Sequence, residues 1–265
     1  MTKKERLQYS RNAIRLQKSI EARYTPSVYR AIKKYVSSFF TSTESVSEVF
    51  VRVQLSMYNE DLVSVINILH RNAGMANARK IRKELRLEEK KAFGINEELL
   101  AFILNYLRTN ALEFATTITA TTKRLVLKLL EDGQEDGLSY REIAKNIEQH
   151  VEFKYQAIRI VRTETVRATN AGAMAAAESS PFEVQKEWIS ARDNRVRHSH
   201  RLLDGQVRDL EEDFKENLAQ PGDPRAPAKE VINCRCTLAI TAKRDENGRL
   251  IRKVNQSPTP IRQAA

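Results

Sequence analysis

The chain has 265 residues, with 45 Lys plus Arg against 34 Asp plus Glu and a formal net charge of +11. This length suits one or two domains with a real core, and so basic a balance favours a polyanion partner, nucleic acid first among them. No run of about 18 apolar residues exists, no apolar stretch follows the opening Met1-Thr2-Lys3-Lys4-Glu5-Arg6, and the 2 cysteines lie one residue apart, so a membrane span, a secretory signal and a disulfide framework are not expected and the chain reads as made in a cytosol.

The charge is uneven. Residues 1–50 hold ten basic and four acidic residues, whereas 201–250 hold nine basic and ten acidic. Lys3, Lys4, Arg6, Arg11, Arg15 and Lys18 are therefore the candidates for contacting DNA phosphates; the bland alternative is an ordinary solvated helix face. Pro26 and Pro181 bracket 154 residues without proline, which permits long helices because an internal proline costs about 3 kcal/mol. Within that stretch Leu99, Leu100, Ile103, Leu104 and Leu107 form one wide helical face, and Leu125 to Leu130 continues apolar. Gly133 and Gly137 frame an acidic turn. Ser139-Tyr140-Arg141-Glu142 is a capping box, with Leu138 and Ile143 placed as a hydrophobic staple and Tyr140, Ile143, Ala144 and Ile147 as the buried stripe of the next helix.

Residues 155–178 predict a further helix ending in the run Ala171-Gly172-Ala173-Met174-Ala175-Ala176-Ala177, a seam small enough for another backbone to approach closely. Ser180-Pro181 ends it. Phe182, Val184 and Trp188 then alternate with polar neighbours, as in a strand with one buried face. Gly205-Gln206-Val207 suggests a turn into a second short strand, Pro221-Gly222-Asp223-Pro224 a loop, and Cys236, Leu238 and Ile240 a third strand. The expected class is α+β: a helical region over 1–150, a small α+β module with short antiparallel strands over 151–242, and a flexible basic tail over 243–265.

Polar, metal-capable residues concentrate late in the chain. Trp188 leads into Arg192-Asp193-Asn194-Arg195-Val196-Arg197-His198-Ser199-His200, then Leu203-Asp204-Gly205-Gln206, and later Asn233-Cys234-Arg235-Cys236. If 193–204 is helical, Asp193, Arg197, His200 and Asp204 share a face, Asp193 pairs with Arg197, and Gly205 terminates the helix. If it is extended, His198 and His200 share a face. Two thiolates and one or two imidazoles suit a structural tetrahedral zinc, although Cys-x-Cys is closer than the usual spacing; the alternative is a pair of small buried cysteines beside a hydrogen-bonded core histidine. Gly-rich phosphate loop, nucleophile elbow and HExxH motif are all missing, which leaves a metal-dependent nuclease built on Asp193, His200 and the cysteines as the enzymatic alternative. Upstream, Arg162-Thr163-Glu164 with Arg167 and Asn170 reads either as a buried ion pair linking helix to strands or as a solvated face.

Taken together, Arg162, Glu164, Arg167, Asn170, Trp188, Asp193, Arg197, His200, Asp204, Gly205, Gln206, Asn233, Cys234 and Cys236 resemble, in order and spacing, the Mu protein F-like family of phage head morphogenesis proteins over roughly 155–240. The resemblance implies a minor head protein of a tailed bacteriophage, not an enzyme, present in few copies inside the head near the portal vertex. It implies the portal protein as partner, scaffold or major capsid protein as further candidates, and double-stranded DNA as a non-specific contact. Other members place a cysteine pair where Arg197 and His200 stand here, and a histidine shortly before the Cys-Arg-Cys; this chain has Glu230-Val231-Ile232 there. His200, Cys234 and Cys236 remain the metal candidates, with His198 or Asp193 for a fourth ligand. Some relatives carry a toxin domain after this module, and with about 25 residues following it here none is expected.

Overall fold

The computed structural model describes residues 1–40, 45–85 and 97–253, with side chains from 112 onward in the last stretch. Among the described residues, eight helices and three strands follow in the order α1 (Lys3–Ser37), α2 (Val46–Leu55), α3 (Glu60–Glu84), α4 (Glu97–Glu135), α5 (Tyr140–Glu148), α6 (Glu152–Glu178), β1 (Val184–Ile189), α7 (His198–Leu203), β2 (Val207–Asp209), α8 (Ala228–Val231) and β3 (Thr237–Ala242). The expected α+β class is what the chain adopts.

The helix starts are written locally. Ser139 Oγ accepts from the Glu142 backbone and the Glu142 carboxylate returns to the Ser139 N–H, the capping box anticipated for α5, and Ile143 and Ile147 are buried behind it. The same reciprocal pair, Thr2 with Glu5 and Ser45 with Glu48, opens α1 and α2. Pro26 does not divide the chain but lies inside α1, where buried Tyr24 and Val28 on either side hold the helix through the lost hydrogen bond. The apolar face at Leu99–Leu107 falls within α4, although its side chains lie outside the described ones.

α6 is the centre of the molecule. Nineteen of its 27 residues are buried, so it is enclosed on nearly all sides rather than amphipathic. α1, α3, α4 and β3 pack against it. The small-residue run does admit another backbone: a Cβ on Gly172 would overlap the carbonyl of Gly74 on α3. One hydrophobic cluster runs from Ile20 through Leu69, Val161 and Trp188 to Ile240. This cluster includes residues on both sides of the sequence division at 150.

The sheet has the order β2-β1-β3, antiparallel throughout, with Val184 opposite Ala242 and Ile189 opposite Thr237 across the β1–β3 pair. Contrary to the one-faced strand expected, β1 is buried on both sides, including Lys186 and Glu187. The reason is cover from two directions. Lys186 Nζ donates to the Leu210 carbonyl at 2.8 Å, and burial pushes its ammonium down to about 8. Glu187 receives Arg6 of α1 at 3.0 Å. Residues 243–253, assigned by sequence to a flexible tail, fold back on the sheet, with Ile251 N–H donating to Lys243 and Lys253 N–H to Pro181. The remainder of that expected tail, 254–265, lies outside the described residues. Among the described residues, no helix is long and apolar enough to cross a membrane.

Candidate metal centre

Side chains of α6 brace the loops that build the site. Arg162 pairs with Glu21 of α1 at 3.2 Å and reaches Asn233 Oδ1 at 3.4 Å. Thr163 Oγ1 accepts the Asn233 N–H at 3.0 Å, which fixes a residue in the left-handed region, φ 59. Glu164 is buried between His70 Nε2 at 2.8 Å and Arg167 Nη1 at 2.7 Å. Burial opposes its ionisation, yet Arg167 and His70 hold the carboxyl below its ordinary value. Arg167 also donates to the Gly222 carbonyl and lies over the Phe114 ring. Asn170 accepts the Leu238 N–H at 2.8 Å and donates to the Cys236 carbonyl at 3.4 Å. The expected buried pair is thus present, and its helical partner is α3 while its neighbours tie α6 to the loops and to β3.

The segment 192–205 is neither of the two regular forms the sequence allowed. Arg192 has φ 55, residues 193–196 form a turn, and α7 begins only at His198. Asp193 consequently does not meet Arg197; it pairs with Arg235 and accepts the Arg195 N–H at 2.9 Å. Arg197 donates instead to the Ile232 carbonyl. Asp204 ends α7, pairs with Arg192 at 2.6 Å and accepts the Ser190 N–H, and Gly205 follows with φ 85 as the helix terminator. These contacts pull α7 against the end of β1.

That arrangement brings His200, Cys234 and Cys236 together, their donor atoms within 4.8 Å of one another and all three residues buried. His200 Nδ1 lies 3.6 Å from each sulfur. Its Nε2 meets Glu230 Oε2 at 3.1 Å. Trp188 packs edge-on against the imidazole with centroids 5.1 Å apart, and its buried indole N–H is directed at Cys236. A hydrogen bond from Cys236 draws the Cys234 thiol well below its ordinary value against the opposing effect of burial, whereas Cys234 and burial push Cys236 well above it. A tetrahedral zinc bonded at its usual lengths separates a sulfur from a nitrogen ligand by about 3.5 Å. The measured separations, the soft donors and the burial fit such an ion.

Other sequence candidates fall elsewhere. His198 is exposed at the start of α7, and neither it nor Asp193 joins the donor group among the described residues. Gln206 donates to the Leu202 carbonyl at the turn into β2. Lys3, Lys4, Arg11, Arg15 and Lys18 are exposed on α1, but Arg6 turns inward to the buried Glu187. Two residues central to the site carried no sequence signal of their own: His70, whose role depends on α3 crossing α6, and Glu230, which sequence shows only as the absence of a histidine.

An α+β module with a buried Cys/Cys/His group, braced by one enclosed helix, is the class of protein these features define. Residues 124–239 match the family described as Phage Mu protein F like protein. The match begins at 124, upstream of the resemblance legible at 155, and takes in the end of α4 and all of α5. Over 117 residues the chain is 35% identical to the minor head protein GP7 of Bacillus phage SPP1, covering 41% of this chain and 37% of the relative. It is 35% identical over 111 residues to an NAD(+)–arginine ADP-ribosyltransferase EFV of Enterococcus faecalis, 40% of this chain and 23% of the relative, and 26% identical over 144 residues to the uncharacterized protein YqbB of Bacillus subtilis, 51% and 47%. The chain thus spans less than half the length of these curated relatives. No solved structure matches it.

Proposed function

We propose that the chain is a minor head protein of a tailed bacteriophage, a structural part of the virion and not an enzyme. One observation carries this reading: the matched segment 124–239 encloses the α6 brace, β1, β2 and all three donors of the buried centre. The SPP1 relative, named a minor head protein, supports it. In this reading the helical region over 1–150 docks on the portal vertex inside the head, with scaffold or major capsid protein as further contacts. Lys3, Lys4, Arg11, Arg15 and Lys18 meet packaged DNA without sequence preference. Immunoblotting of purified particles and procapsids tests it. Recovery of the chain with both, and co-sedimentation with portal protein, is expected; absence from particles sinks the proposal.

The centre serves stability within that role. One structural zinc ion, held by His200, Cys234 and Cys236, would cross-link α7 to the approach of β3. About one zinc per purified chain is expected, lost in Cys234→Ser together with a fall in melting temperature. Metal analysis finding none in freshly purified protein would leave the trio as a packing and hydrogen-bonding group. The nuclease alternative is disfavoured by burial: His200 is 1% exposed and both cysteines 2%, so a scissile phosphate has no approach to them. The transferase named for the Enterococcus relative is a protein of which 23% is matched, and that activity forms no part of this reading.

A further inference from the structure

We propose that Glu230 is the positioning residue of the centre: it fixes His200 as the Nε2–H tautomer and so turns the Nδ1 lone pair onto Cys234 and Cys236. Its effect on metal affinity rests on the zinc reading above; its effect on the tautomer does not. Glu230 is buried on α8, one turn before Cys234. An ionised carboxylate only accepts hydrogen bonds, so the nitrogen that meets it must carry the proton, and in a neutral imidazole the other nitrogen is then the bare one. Glu230 Oε2 stands 3.1 Å from His200 Nε2. Nδ1, left bare, is the atom 3.6 Å from each sulfur.

The carboxylate is itself held. Ser199 Oγ donates to the same Oε2 at 3.1 Å, and Lys215 Nζ donates to Oε1 at 2.9 Å. Donors from α7 and from the loop after β2 thus fix its plane, while Trp188 fixes the plane of the ring. Glu230 touches no ligand sulfur. It acts through the imidazole, as carboxylates behind metal-bound histidines do, orienting the ring and raising its basicity.

Two measurements decide the matter. Long-range nitrogen–proton NMR on zinc-stripped wild-type protein should show His200 protonated on Nε2; protonation on Nδ1 overturns the proposal whether or not zinc binds. Titration of zinc against a chromogenic chelator should show Glu230→Gln binding about 10–100-fold more weakly than wild type. Lys215→Met, which frees the carboxylate without touching the histidine, should fall between them. Equal affinity in wild type and Glu230→Gln defeats the positioning role. Wild-type protein that binds no zinc defeats the metal reading instead, and the tautomer measurement still decides the role of Glu230. Should Glu230→Gln fail to fold, Lys215→Met and the wild-type spectrum carry the same two outcomes.

Discussion

Gly172 of α6 lies against the carbonyl of Gly74 on α3, so close that a Cβ at 172 would overlap it. The two helices touch backbone to backbone there, and Asn77 Nδ2 of α3 donates to the Thr169 carbonyl at 2.7 Å beside the crossing. This contact sets the depth at which α3 sits on α6, and hence the meeting of His70 with Glu164. Gly172→Ala should force the helices apart at a cost of about 1–3 kcal/mol, the usual range for overpacking a dense core. Denaturant titration would register it as a lower midpoint. A midpoint equal to wild type would mean that the helices slide apart freely and that the crossing fixes nothing.

Glu164 makes acid stability a test of the brace. Its folded carboxyl is held below the ordinary value of 4.5 by Arg167 and His70 despite burial. On acidification the unfolded chain therefore takes up its proton first. Stability from this group is fully present above about 4.5 and is lost as pH falls through the lower folded value. Glu164→Gln should flatten that part of the stability-versus-pH curve. At neutral pH it should also destabilise by about 3–5 kcal/mol, because Arg167 is left buried without its counter-charge. A variant whose curve parallels wild type between pH 5 and 2, on the order of that window, would remove Glu164 as the acid-sensitive group.

What the sequence shows depends on whether its cause is local. The Ser139–Glu142 box and the Gly205 terminator depend on neighbours within a few residues, and the positions of the three strands are marked by local pattern and turns, so all are legible, whereas the pairing of the strands is not. The small-residue seam predicts a close approach without naming Gly74, because the partner is a long-range fact. Polar groups fared worse for the same reason. Asp193 finds Arg235 in place of Arg197 because Arg192, at φ 55, bends the chain before a helix can start. His200, Cys234 and Cys236 were recognisable as a donor set by type. Glu230 was not, since a carboxylate behind a histidine is visible only once α8 is folded under α7. The inward turn of Arg6 likewise requires knowing that Glu187 is buried.

Asn170 should be intolerant of a nearly isosteric change. Its Oδ1 accepts the Leu238 N–H at 2.8 Å, and its Nδ2 donates to the Val166 carbonyl at 2.8 Å and to the Cys236 carbonyl at 3.4 Å. Asn170→Asp keeps the acceptor but removes both donations, and it places a carboxyl in a site with 0% exposure. The expected loss is about 1–3 kcal/mol. Hydrogen exchange would localise it: protection of the Leu238 amide at the start of β3 should fall more than that of α1 amides. Uniform loss across the chain would show that Asn170 merely contributes to global stability and does not pin this strand to α6.

The basic residues of α1 should separate into two functional kinds. Lys4, Arg11, Arg15 and Lys18 fall within about 60° of the helix circumference, given 3.6 residues per turn. No acidic residue lies between Glu5 and Glu21 to neutralise them. Arg6 instead serves the buried Glu187 at 3.0 Å. Arg15→Glu with Lys18→Glu should weaken binding to double-stranded DNA and lessen its salt dependence, by about 1 in the logarithmic slope for each phosphate contact removed, while leaving the melting temperature near wild type. Arg6→Ala should do the reverse. It deprives a buried carboxylate of its guanidinium, so the melt should drop by the equivalent of about 1–3 kcal/mol while the salt slope is unchanged. Fluorescence anisotropy against salt, run beside thermal melts of the three proteins, distinguishes the cases. If Arg6→Ala shifts the slope as much as the double variant, the inward ion pair is broken in solution and Arg6 belongs with the outward row. If the double variant binds DNA like wild type at every salt concentration, this face of α1 is a solvated surface and the phosphate contacts must be sought elsewhere on the chain.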